Sequence, residues 1–127
     1  MTDYIDFEWF ETDKKILRKT SRGGDDVGLR LSSRIHDGEV VYQDGEKTYI
    51  AKILPCKLLR ITAASRVDLG RICYELGNRH LPVAIAEGYA ETPFDAPLGE
   101  HLAKLGFKCE ETFGVFSGYI YGGHHHG

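Results

Sequence analysis

Lys57-Leu58-Leu59-Arg60-Ile61-Thr62-Ala63, followed by Ser65-Arg66-Val67-Asp68-Leu69-Gly70-Arg71-Ile72-Cys73-Tyr74-Glu75-Leu76-Gly77, sets a strand directly before a helix. The first seven residues read as a strand. Ser65 suits an N-cap, with Asp68 three residues on as a variant of the capping box. Leu69, Ile72, Cys73 and Leu76 fall at i, i+3, i+4 and i+7, which is one face of a helix. Gly77 offers the left-handed residue that commonly ends a helix, and Pro82 blocks its resumption.

Toward the C-terminus, Val83-Ala84-Ile85 and Tyr89 to Phe94 read as two short strands joined around Glu87-Gly88. Leu98, His101, Leu102 and Leu105 repeat the helical spacing, Gly106 ends that helix, and Phe107 to Phe116 reads as a final strand. The order β-α-β-β-α-β is the ferredoxin-like arrangement, in which each helix lays its apolar stripe on one sheet. Toward the N-terminus the period falls to two. Gly28-Leu29-Arg30-Leu31-Ser32 alternates, while Val40-Val41-Tyr42 and Thr48 to Ile53 are rich in β-branched and aromatic residues. Asp37-Gly38 marks a turn, and Asp44-Gly45 predicts a hairpin with a type I′ turn. The first thirteen residues carry five acids and no base, and Lys14 to Arg22 carries five bases and no acid. Both runs read as solvated faces or an arm. The expected class is therefore α+β: an N-terminal all-β module over 1–56, a ferredoxin-like βαββαβ domain over 57–118, and a flexible tail over 119–127.

Composition narrows the function. The 127 residues are 42% hydrophobic and 28% charged, an ordinary globular balance. Sixteen Lys and Arg against 19 Asp and Glu leave a formal charge of −3, which argues against nucleic acid. No apolar run reaches the roughly 20 residues of a membrane helix, and MTDYIDFEWFETD lacks the basic and apolar regions of a secretory signal. Cys56, Cys73 and Cys109 form no C-x-x-C pair and read as small hydrophobes in a reducing cytoplasm.

Histidine is the candidate chemistry. His124, His125 and His126 are a compositional metal-binding signal. An expression tag is the other reading, against which stand the number three and the flanking glycines. His80 follows the first helix. A single histidine there is more often structural or solvated than a ligand, and cannot fix a metal alone. A two-fold axis beside it would bring two copies to one ion, with the tail adding nitrogens. His101 reads as a packing residue on the second helix and His36 as a solvated turn residue. No phosphate-binding glycine motif is present, Gly23-Gly24 being followed by two aspartates, and Glu110-Glu111 reads as a solvated face.

Leu76-Gly77-Asn78-Arg79-His80-Leu81-Pro82 resembles the signature of the UreE urease accessory metallochaperones, a family of nickel carriers. Val27 to Leu31, Asp37-Gly38-Glu39-Val40-Val41, Leu58 to Ile61, Pro93-Phe94-Asp95 with Leu98, and Leu105-Gly106 carry the resemblance across Lys15 to the end. The resemblance implies an N-terminal β domain that engages partners and a C-terminal domain that dimerises. It implies Ni²⁺ held by His80 of each chain, with His124, His125 and His126 completing or loading the site. The implied partners are a second copy, the urease accessory GTPase and the apo-urease assembly complex. Glu75 and Ala96 stand where some relatives have histidines, so secondary sites built there are not expected. Ligation needs neutral imidazole, so affinity should fall as pH drops through about 6.5. Cu²⁺ or Zn²⁺ should substitute in vitro, with nickel identity set by partners and availability. Three other functions fit the chain in outline. They are a metal-independent interaction module, a general metal buffer, and a small enzyme using Asn78 and Arg79 on an anion.

Overall fold

A computed structural model describes residues 1–119. The chain forms two compact units, one of Met1–Leu54 and one beginning at Pro55.

The first unit is built from β1 (Thr2–Phe7), a 3₁₀ turn (Trp9–Glu11), β2 (Ile16–Thr20), β3 (Asp26–Arg30), β4 (Val40–Asp44) and β5 (Lys47–Ile53). The acidic N-terminus is a strand and not a solvated arm. β1 pairs in parallel with β5, and Ile5 and Phe7 are fully buried. Asp6 falls between these core residues, as strand alternation requires, while Asp3 shares their face and is itself buried. The two charge runs answer each other: Lys19 bonds Glu11 at 3.0 Å and Arg22 bonds Asp6 at 2.6 Å. Val27, Leu29, Ile35, Tyr49, Ala51 and Ile53 complete this core. β4 and β5 form the expected hairpin, closed by Asp44 opposite Lys47. Gly45 has φ 59° but Glu46 has no positive φ, so the glycine stands first in a two-residue loop. That is the position glycine takes in a type II′ turn, in place of type I′.

The second unit runs β6 (Cys56–Thr62), α1 (Arg66–Asn78), β7 (Ala84–Ala86), β8 (Tyr89–Pro93), α2 (Ala96–Lys104) and β9 (Lys108–Gly114). Its sheet has the order β7-β8-β6-β9 with every pairing antiparallel, which is the ferredoxin-like topology. Ser65 caps α1 by accepting the Asp68 amide at 3.1 Å, and Asp95 caps α2 by accepting the Leu98 amide at 3.0 Å. Ile72 and Leu76 of α1 and Leu98 and Leu102 of α2 meet Leu59, Ile61 and Ala90 of the sheet. Each such side chain contributes about 1.5–3 kcal/mol on burial.

Candidate metal centre

The end of α1 sets the position of His80. Leu76 is fully buried and anchors the last turn. The Leu81 amide bonds the Leu76 carbonyl at 3.1 Å, and the His80 amide bonds that of Gly77 at 3.0 Å. This pair of bonds is a Schellman motif with Arg79 as C-cap and His80 at C′. His80 accordingly has φ 56°, the one positive φ among the described non-glycine residues. The expected helix-ending role of Gly77 is therefore corrected. Gly77 lies inside the helix, and the left-handed position falls three residues later, on the histidine. Leu81 packs against the core that holds Leu76, so the apolar contact typical of this motif fixes the register. His80 is exposed, as are Asn78 and Arg79.

Glu75, one turn back, stands between two neighbouring side chains. Its carboxylate lies 3.4 Å from the Arg79 guanidinium and 3.6 Å from Nε2 of His101 on α2. His101 is thus half-buried as expected, beside a carboxylate and not a second histidine. Arg79 is engaged within its own helix, which weakens it as an anion clamp.

The outward face of α1 carries a second stripe that periodicity of the core positions does not reveal. Val67 is 73% exposed and Tyr74 68% exposed, and they stand seven residues apart. Gly70 lies between them, and a Cβ built there would meet nothing within 4 Å. With Arg71, Leu105 and Phe107 these residues line a recess of about 460 Å³. The signal available in the sequence is Val67 and Tyr74 on an otherwise polar helix face.

Other candidate donors are dispersed. No group of three or more His, Cys, Asp or Glu that could hold a metal ion occurs among the described residues. Burial pushes the Cys73 and Cys109 thiols up, away from the thiolate form that binds metals. His36 sits exposed in the turn before Glu39. His124, His125 and His126 lie outside the described residues. Within those residues, then, His80 is the histidine set at a helix end with its side chain exposed.

Comparison with known proteins identifies the family. The model of the UreE urease accessory protein N-terminal domain matches residues 1–52, and that of the C-terminal domain matches residues 56–127. The chain belongs to the UreE family. It is 38% identical over 116 residues to the urease accessory protein UreE of Bifidobacterium longum subsp. infantis, covering 91% of this chain and 52% of that protein. UreE of Acetivibrio thermocellus is 40% identical over 108 residues, covering 84% of this chain and 71% of the relative. UreE of Flavobacterium johnsoniae is 34% identical over 116 residues, covering 89% and 70%. The chain therefore spans about half the length of the first relative and a larger share of the other two. The family is one of accessory proteins and not of enzymes. No helix among the described residues is long and apolar enough to cross a membrane.

Proposed function

We propose that this chain is a cytoplasmic nickel metallochaperone of urease maturation, binding Ni²⁺ between two copies and handing it to the urease assembly machinery. The observation that carries the reading is His80: an exposed imidazole in a left-handed backbone position at the end of α1, a helix that also presents exposed Val67 and Tyr74. One imidazole is too few for a stable site, so a two-fold partner supplying its own His80 is the economical completion. The stripe of Val67, Gly70 and Tyr74 is the face we assign to that partner, because exposed apolar stripes on helices seek cover. Glycine at its centre leaves room for close approach.

In this reading His124, His125 and His126 add nitrogens to the shared ion. A site shared between two chains with supplementary ligands on a tail can gain and lose donors stepwise, which suits a carrier that must release its cargo. The N-terminal unit engages partner proteins, among them the accessory GTPase and apo-urease. Calorimetric titration with Ni²⁺ tests the proposal on wild type, His80→Ala and a chain truncated after Tyr121. One tight ion per two chains, lost in His80→Ala and weakened by truncation, is the expected result. Unchanged binding in His80→Ala would remove the shared site, and binding lost on truncation alone would leave the tail as the only metal ligand.

A further inference from the structure

The hairpin of β2 and β3 presents a basic face in a chain of net negative charge. Ile16 stands opposite Arg30 and Arg18 opposite Gly28, so these four share one side of the ladder. The other side carries Val27 and Leu29, which are buried in the core, and Leu17, which packs against it. Ile16 is 71% exposed. A Cβ at Gly28 would meet nothing within 4 Å, which opens a shallow recess of about 340 Å³ lined by Ile16, Arg18, Gly28 and Arg30.

Charge pairing leaves this face open. Lys19, Arg22 and Lys47 of the same unit are each engaged by a carboxylate. The side chains of Arg18 and Arg30 make no ion pair or hydrogen bond with any described residue. At the far end of the hairpin Asp26 accepts the Thr20 hydroxyl at 3.2 Å, so the face runs from basic to acidic along its length. Arg18 and Arg30 are diagonal neighbours across the pair, a separation of about 7–8 Å between Cα atoms. Alternate residues of an extended chain are about 6.7 Å apart.

We propose that this face seats an extended acidic segment of a partner protein. Carboxylates two residues apart meet Arg18 and Arg30, which bind carboxylates through paired N–H donors. The backbone of the segment passes over Gly28, where no side chain stands in its way, and one of its apolar side chains packs on Ile16. Two arginines and an acidic end are too little positive charge for a nucleic-acid backbone, whose binding rests on many phosphate contacts. The inference rests on the reading that the N-terminal unit engages proteins. It requires neither His80 nor a bound metal.

The test is fluorescence anisotropy of a labelled peptide of alternating Glu and Thr, titrated with the full chain at low salt. A peptide of the same composition with its glutamates in one block and an oligothymidylate are the competitors. The alternating peptide should bind most tightly. Arg18→Gln and Arg30→Gln should each weaken it by up to about fivefold, the scale of an exposed ion pair. Gly28→Val should weaken it by filling the recess, and backbone amide shifts on binding should fall on β2 and β3. Nickel uptake by the doubly substituted chain should match wild type, and His80→Ala should bind the peptide normally, so the two proposals fail separately. Absence of saturable binding, equal affinity in the doubly substituted and correctly folded chain, or preference for the block peptide or the oligonucleotide would overturn the inference.

Discussion

Replacing His80 by glycine should separate the fold's interest from the metal's. At φ 56° an L-residue bears a left-handed penalty of about 1–2 kcal/mol that glycine does not. Glycine loses more freedom on folding, which takes back about 0.5–1 kcal/mol. His80→Ala is the proper reference, because both variants lose the ring and its contacts while alanine keeps the penalty. His80→Gly should therefore exceed His80→Ala by about 0.5–1 kcal/mol, or roughly 3–6 °C in Tm for a domain of this size. The assay is thermal unfolding followed by circular dichroism in the presence of EDTA. In excess Ni²⁺ the wild type should then gain stability by mass action, about 2.7 kcal/mol at a hundredfold excess over Kd. Both variants should gain little. A glycine variant no more stable than the alanine variant would refute the strain at His80. A metal-induced rise as large in the variants as in wild type would refute its role as ligand.

Gly70→Ala should raise the stability of α1 by about 0.5–1 kcal/mol in the isolated chain, while weakening dimerisation measured by sedimentation if Gly70 admits the partner helix. Gly23→Ala should destabilise the first unit by about 1–3 kcal/mol in urea unfolding, since a Cβ there would stand 2.7 Å from the Asp3 carboxylate. Acid should unfold this unit through Asp3 and Asp25. Asp3 is held below its usual range chiefly by the Ser21 hydroxyl, with help from the Tyr4 and Gly23 amides, and Asp25 by Lys47 and Tyr49. A lowered folded-state pKa stabilises above the ordinary carboxylate range, and that stability is lost as pH falls through the lowered value. Lys47→Met should shrink the acid-dependent part of the stability curve and leave its neutral plateau less high.

The ferredoxin-like order was readable because each helix carries its own punctuation. Ser65 and the Leu69, Ile72 and Leu76 spacing place α1 without any tertiary information, and the Asp44-Gly45 pair does the same for the hairpin. What escaped depends on distant partners. β1 reads as an acidic run because its pairing with β5 lies more than forty residues away, and the answering bases, Lys19 on β2 and Arg22 just after it, look like a second solvated run. The αL position was misassigned for a local reason. Gly77 is the conventional residue for it, yet burial of Leu76 and the Leu81 contact carry the helix further and put the histidine there. The basic face of β2 and β3 is equally hidden, since only the register sets Arg18 opposite Gly28. The tail histidines were legible only as composition.

In the proposed role, two chains share one nickel ion through His80. Native mass spectrometry of the full chain with limiting Ni²⁺ is the decisive measurement. A dimer carrying a single ion, with that ion absent from the His80→Ala dimer, is the result expected. One ion on each separate chain, or a single-ion dimer that persists in His80→Ala, would contradict it.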